Sequence, residues 1–157
     1  MKIQKILFVC LGNICRSPLA EGIMLKLIAD NKLPLIVDSA GTSHYHIGEK
    51  PDERTIANAQ KHTVNLQALR ARQFKISDFE EFDYIYVMDN SNLKNVLALS
   101  SKPEHQQKVH LFLNVLANKN IQEVPDPYYS STDGFEEVFQ LVYKACEKLV
   151  DLHSVNK

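Results

Sequence analysis

The apolar run Lys5-Ile6-Leu7-Phe8-Val9-Cys10, followed at once by Leu11-Gly12-Asn13-Ile14-Cys15-Arg16 and then by a helix-period stretch, constrains the fold more than any other feature. Near-continuous apolar character reads as a strand covered on both faces, the pattern of a parallel sheet. Leu19, Ile23, Leu27 and Ile28 mark one face of a helix opening near Ser17-Pro18, with proline in the tolerated first turn. A strand that feeds a helix through a short loop begins an α/β unit.

The alternation recurs along the chain. Leu35-Ile36-Val37, Tyr84 to Met88 and Val109 to Leu113 read as strands. Residues 52–62 and 91–99 read as helices, and Ser77-Asp78-Phe79-Glu80 as a capping box on a short one. A last helix carries Phe135, Val138, Phe139, Val142, Cys146 and Leu149 on one stripe, with Asp133 and Glu136 spaced as its cap and third position. The expected fold is α/β: a three-layer sandwich with a central four-stranded parallel sheet flanked by helices. Without repeats or linkers, residues 1–157 are expected to form a single domain.

Composition excludes more than it assigns. A net charge of −1 gives no basic field for nucleic acid. No apolar run reaches a membrane span, and the one after Met1 is too short for a signal-peptide core, so a cytoplasmic protein with no membrane insertion is expected. Three cysteines, Cys10, Cys15 and Cys146, do not suggest a disulfide framework. Cys146 lies on the core stripe and reads as packing. Among six histidines, His44-Tyr45-His46 has no zinc-like spacing and reads as solvated loop; no metal and no cofactor are expected. Asp52-Glu53-Arg54 reads as a solvated helix start.

Chemistry concentrates in the first loop. In open α/β sheets ligands sit beyond the carboxyl ends of the strands, where Cys10 falls. Backbone N–H groups of Leu11, Gly12, Asn13, Ile14 and Cys15 converge there with a helix N-terminus, which makes an anion site. Arg16 adds a planar fork for two phosphate oxygens. The same positive field favours a nucleophilic Cys10 thiolate; Ser17 is placed to donate a hydrogen bond to it and, with Asn13, is expected among the residues that bind phosphate. Asn13 tolerates a left-handed backbone. Neither G-x-x-x-x-G-K-[ST] nor G-x-G-x-x-G is present, so this is not a nucleotide loop of either kind.

The segment Val9-Cys10-Leu11-Gly12-Asn13-Ile14-Cys15-Arg16-Ser17-Pro18-Leu19-Ala20-Glu21 resembles the signature of low-molecular-weight protein tyrosine phosphatases. The resemblance extends to Asp38-Ser39-Ala40-Gly41-Thr42, Ala71-Arg72-Gln73, Met88-Asp89-Asn90-Ser91-Asn92-Leu93 and Asp126-Pro127-Tyr128-Tyr129, in the family's order. It implies hydrolysis of phosphotyrosine through a phosphocysteine on Cys10, with Arg16 binding phosphate and Asp126 as general acid and then base. Pro127 restricts Asp126 to extended geometry. Asn13 and Ser39 are expected to support the loop. Tyr45, Tyr128 and Tyr129 are expected at an aromatic rim, with Ile14 at the entrance; related phosphoarginine phosphatases carry threonine in the place of Ile14.

The implied partners are a phosphotyrosine protein, with a tyrosine kinase as one family-like substrate, and inorganic phosphate as product. Cys15 reads either as packing or, as in the family, as a reversible disulfide partner of Cys10. Two departures stand out: Ser130 where glycine is frequent, and Tyr45 where some members have tryptophan. Arsenate reductases sharing the Cys-x5-Arg loop pass oxidation to a mid-chain cysteine pair, and residues 77–100 contain none. A phosphate-binding module without catalysis would be expected to lack Cys10 or Asp126, and a phosphocysteine carrier would not need Arg16 with an acid.

Overall fold

A computed structural model describes residues 2–128 and 132–154. Four parallel strands, β1 (Gln4–Cys10), β2 (Leu35–Gly41), β3 (Tyr84–Val87) and β4 (Val109–Leu111), lie in the order β2-β1-β3-β4. The helices are α1 (Arg16–Asn31), α2 (Glu53–Lys61), α3 (Asp78–Glu81), α4 (Asn90–Leu97), α5 (Pro103–Gln106) and α6 (Thr132–Ser154). Among the described residues no helix is long and apolar enough to cross a membrane.

The alternation of side chains along β1 explains the layers. Ile6, Phe8 and Cys10 enter one core with α1, α6 and residues 112–113, while Leu7 and Val9 enter a second with Phe79, Ile85, Val87 and Val96. A strand wet on one face would need polar residues at every second position; β1 has none from Ile6 onward, and Ile6 to Val9 have no exposed surface. Truncating Phe8 to alanine would cost about 3–5 kcal/mol through lost burial and the cavity left behind.

From β1 the chain crosses to β2 on one side and later returns to β3 on the other. The carboxyl ends of β1 and β3 therefore flank a topological switch point, where an open α/β sheet leaves a crevice. Cys10 ends β1 there, and Met88-Asp89 follows β3.

Three local expectations yield to tertiary partners. No side-chain cap forms at Ser77; instead Asp78 accepts from the Lys75 N–H at 2.9 Å and from Arg72, and Glu80 reaches His105. Helix α6 includes Asp133, and Glu136 turns away from its N-terminus to bond Asn58 at 2.9 Å and His62 at 2.8 Å, joining α6 to α2. Strand β4 ends at Leu111, because Phe112–Leu116 coil into a 3-10 turn that buries Phe112 and Leu113. Helix α1 begins one residue earlier than expected, at Arg16, which leaves Pro18 in the first turn, where its missing N–H costs nothing.

Candidate active site

A cavity of about 260 Å³ opens at the switch point, walled by Cys10, Leu11, Gly12, Ile14, Cys15 and Arg16 on one side and by Asp126 and Tyr128 on the other. Ser43, Tyr45 and His46 complete the mouth.

The loop between β1 and α1 is tied from outside. The Cys10, Leu11 and Ile14 carbonyls accept from the N–H groups of Thr42 (2.9 Å), Ser43 (2.9 Å) and Asp52 (2.7 Å). Asn13 adopts a left-handed backbone with φ 56°, and its amide braces the turn. Its Nδ2 donates to Ser17 Oγ at 2.8 Å and Ser39 Oγ at 2.9 Å, and its Oδ1 accepts from the Arg72 N–H at 3.0 Å. Ser39 Oγ in turn donates to Glu21 at 2.6 Å. Gly41 lets β2 press against this loop: a Cβ there would lie 2.7 Å from the Leu11 carbonyl oxygen.

Cys10 Sγ lies 3.0 Å from Ser17 Oγ and 3.3 Å from the Asn13 N–H. Because Ser17 Oγ already accepts from Asn13, its own hydrogen is left for the sulfur or for the more distant Ala40 carbonyl at 3.4 Å. Arg16 is as buried as Cys10, each 2% exposed. Its Nη1 donates to Asp89 at 2.6 Å and to the Val124 carbonyl at 3.0 Å, and its Nη2 lies 3.6 Å from Asp126 Oδ2. Burial works against its charge, but Cys10, Asp89 and Asp126 outweigh it and hold its pKa above the ordinary guanidinium value. Asp89 has a second duty, capping α4 through the Asn92 N–H at 2.8 Å.

The chain returns to the site through Val124, whose N–H donates to the Met88 carbonyl at 2.8 Å beside β3. This sets Asp126 two residues on, facing Arg16. The Tyr128 N–H donates to Asp126 Oδ1 at 3.0 Å, which leaves Oδ2 toward the cavity side. Burial pushes the neighbouring Cys15 thiol up to about 12, so at neutral pH it stays protonated. All three cysteines are free, and Cys146 is buried among α6 core residues.

The residues singled out in the sequence divide into two groups. Cys10, Leu11, Gly12, Ile14, Cys15, Arg16, Tyr45, Asp126 and Tyr128 reach the cavity. Asn13 and Ser17, expected on the phosphate as well, turn their side chains into the scaffold beneath the sulfur, as Ser39 does. Tyr129 and Ser130 lie outside the described residues. His46, read as solvated loop, instead lines the cavity and pairs with Glu49 at 3.1 Å; its ring covers Gly12, where a Cβ would meet it at 3.0 Å. Ser43, Asp89 and Glu21 also belong to the site or its scaffold; the last two fall within Met88–Leu93 and Val9–Glu21, the family-like segments that carry their sequence signal. Among the described residues no group of three or more His, Cys, Asp or Glu side chains is placed to hold a metal ion.

Comparison with known proteins agrees with this geometry. The family model described as low molecular weight phosphotyrosine protein phosphatase matches residues 5–157. The mouse protein of that name is 38% identical over 151 residues, 94% of each chain. The crystal structure of YfkJ from Bacillus subtilis superposes with a TM-score of 0.92 at 36% identity, covering 100% of this chain and 98% of that one. DARP, a Drosophila arginine phosphatase, superposes at 0.87 with 33% identity over 94% and 96%. The chain belongs to the low molecular weight phosphotyrosine protein phosphatase family, and thereby to the phosphoprotein hydrolases.

Proposed function

We propose that this chain, as one domain spanning residues 1–157, removes phosphate from phosphotyrosine in cytoplasmic proteins through a phosphocysteine on Cys10, without a metal. The observation that carries the reading is one cavity in which Cys10 Sγ, the buried Arg16 guanidinium and the Asp126 carboxyl converge.

In the first step the Cys10 thiolate forms a bond to phosphorus. The bond from phosphorus to the phenolic oxygen breaks, and that oxygen takes its electron pair and a proton from Asp126. Arg16 and the loop N–H groups meet the charge on the equatorial oxygens. In the second step Asp126, now a carboxylate, takes a proton from water. The water oxygen bonds to phosphorus, the S–P bond breaks, and thiolate and inorganic phosphate are released. Ser17 Oγ and the Asn13 N–H lie on the sulfur throughout, which suits a group that must carry negative charge before and after turnover.

Ile14, Tyr45 and Tyr128 give the mouth an apolar and aromatic wall that suits a phenyl ring better than a guanidino group. A tyrosine kinase with a phosphorylated tyrosine segment is one substrate this mouth fits.

The test is hydrolysis of phosphotyrosine and phosphoarginine peptides by the reduced protein with chelator present. Wild type should turn over the phosphotyrosine peptide faster. Cys10→Ser should abolish turnover, and Asp126→Ala should lower it about 10²–10³-fold. A folded wild type without turnover, or an active Cys10→Ser, would sink the reading; faster phosphoarginine turnover would reassign the substrate.

A further inference from the structure

The loop that carries Asp126 is tied to the phosphate loop through a residue outside the cavity. Arg54, in the first turn of α2, donates from Nη2 to the Tyr128 carbonyl at 2.9 Å. The same guanidinium grips Asp52, from Nε to Oδ1 at 3.0 Å and from Nη2 to Oδ2 at 2.9 Å. It also lies over two rings, 5.5 Å from the centre of Tyr128 and 4.7 Å from that of Phe135. Phe135 is buried in a cluster with Ile14 and Cys15, the back of the phosphate loop.

Each partner leads to one half of the site. Asp52 caps α2 through the Arg54 N–H at 2.8 Å, and its own N–H donates to the Ile14 carbonyl. Tyr128, whose carbonyl Arg54 holds, donates its N–H to Asp126 Oδ1. One planar cation therefore spans the distance between the loop that holds phosphate and the carboxyl that faces it. The fork suits this task, because fixed donors can serve Asp52 and the Tyr128 carbonyl together while the flat face stacks on rings. A lysine ammonium is a point charge without the planar stack.

We propose that Arg54 is a positioning residue that sets Asp126 in register with the scissile oxygen by bracketing the acid loop to the phosphate loop. The proposal rests on Asp126 being the general acid. Arg54 itself is not on the cavity wall. Its loss displaces the acid without disturbing the cradle. A displacement of about 1 Å at a reacting group can cost up to about 10²-fold in rate.

The measurement is kcat/KM for two aryl phosphates, which reports the steps up to cleavage of the P–O bond. Phenyl phosphate releases a phenol with a pKa of about 10, like tyrosine, and needs the acid. The p-nitrophenyl ester releases a far weaker base and needs it little. Arg54→Met should lower kcat/KM for phenyl phosphate about 10–50-fold and for p-nitrophenyl phosphate less than about 3-fold, with inhibition by inorganic phosphate unchanged. Arg54→Lys should fall between wild type and Arg54→Met on phenyl phosphate. In an Asp126→Ala background, Arg54→Met should add almost nothing.

Equal losses on both esters, or weaker phosphate inhibition, would mean that Arg54 supports only the cradle, and would overturn the proposal. An additive loss in the Asp126→Ala background would overturn it too. If Asp126→Ala alone fails to discriminate between the esters, the general-acid reading itself fails. That outcome is separate from an Arg54→Met that is silent while Asp126→Ala discriminates.

Discussion

Cys10 and Arg16 are each 2% exposed and are held by β1, β2, α1 and the residues after β3, whereas the Asp126 side chain is 39% exposed, accepts from the Tyr128 N–H of its own loop and faces Arg16 Nη2 at 3.6 Å. Around the phosphate loop, Asn13, Ser17, Ser39 and Glu21 form a continuous buried hydrogen-bond network. Around the acid loop, ties among the described residues include the Val124 N–H to Met88, the Val124 carbonyl to Arg16, the Glu123 carboxylate to the Asn90 N–H and the Arg54 bracket. The first region has the build of a preorganised charge cradle, in which no reorganisation is needed as the transition state forms. The second has an open edge, with Asp126 39% and Tyr128 37% exposed, as suits a group that must admit a bulky substrate and then water. One site thus combines a rigid, buried half for the phosphoryl group with a more exposed half for the leaving group.

The contrast predicts different kinetic signatures. Arg16→Lys should bring the largest effect of the rigid-half variants, about 10²–10³-fold in kcat/KM on every aryl phosphate alike. A point charge cannot hold two phosphate oxygens while keeping Asp89 and the Val124 carbonyl satisfied. Steady-state rates over a series of leaving groups would check it; a loss that grows with leaving-group basicity would blur the division between the halves.

The scaffold under the cradle makes a thermodynamic prediction. Burial, opposed by the Ser39 hydrogen bond, raises the Glu21 pKa from 4.5 to about 7. The folded state then keeps a proton that the unfolded state releases, so stability from this group falls as pH rises from 4.5 to about 7 and is level above. Glu21→Gln imitates the protonated acid and keeps an acceptor for Ser39. It should be more stable than wild type at about pH 8, by up to about 3 kcal/mol, and the difference should shrink as pH falls toward 4.5. Urea unfolding at the two pH values measures this, and a difference independent of pH would refute it.

The smallest effect belongs to the exposed rim. Tyr45 is 72% exposed, and its ring centre lies 4.9 Å from that of His44. Tyr45→Ala should raise KM for a phosphotyrosine peptide about 3–10-fold and leave inhibition by inorganic phosphate unchanged. A comparable change in phosphate inhibition would show that the rim and the cradle are coupled.

Much of the fold was legible because parallel strands buried on both faces leave apolar runs that few other structures need. The runs at 5–10, 35–37 and 84–88 fell on β1, β2 and β3, and the stripe from Phe135 to Leu149 fell on α6. Local motifs were less dependable. Ser77-x-x-Glu80 and Asp133-x-x-Glu136 have capping-box spacing, yet Glu80 and Glu136 find histidines elsewhere in the fold. A cap contributes only about 1 kcal/mol, a local preference small enough for tertiary partners to redirect such a side chain. Arg54 is the exposed helix start that its neighbours Asp52 and Glu53 suggest, but its contact with Tyr128 is distant in sequence and leaves no local pattern, as is true of the His46 ring over Gly12.

The phosphate-loop half of the site is written in adjacent residues. Cys10 and Arg16 are six positions apart in a strand-to-helix turn, so chain connectivity alone brings thiol, guanidinium and helix N-terminus together. The opposing half is assembled by long-range packing. Arg16 meets Asp89 across 73 residues, Arg54 meets Tyr128 across 74, and Asp126 comes to Arg16 from 110 residues away (126 − 16). Closing loops of that length carries an entropic cost that no local pattern records, and it is the burial of both faces of the β2-β1-β3-β4 sheet that offsets it.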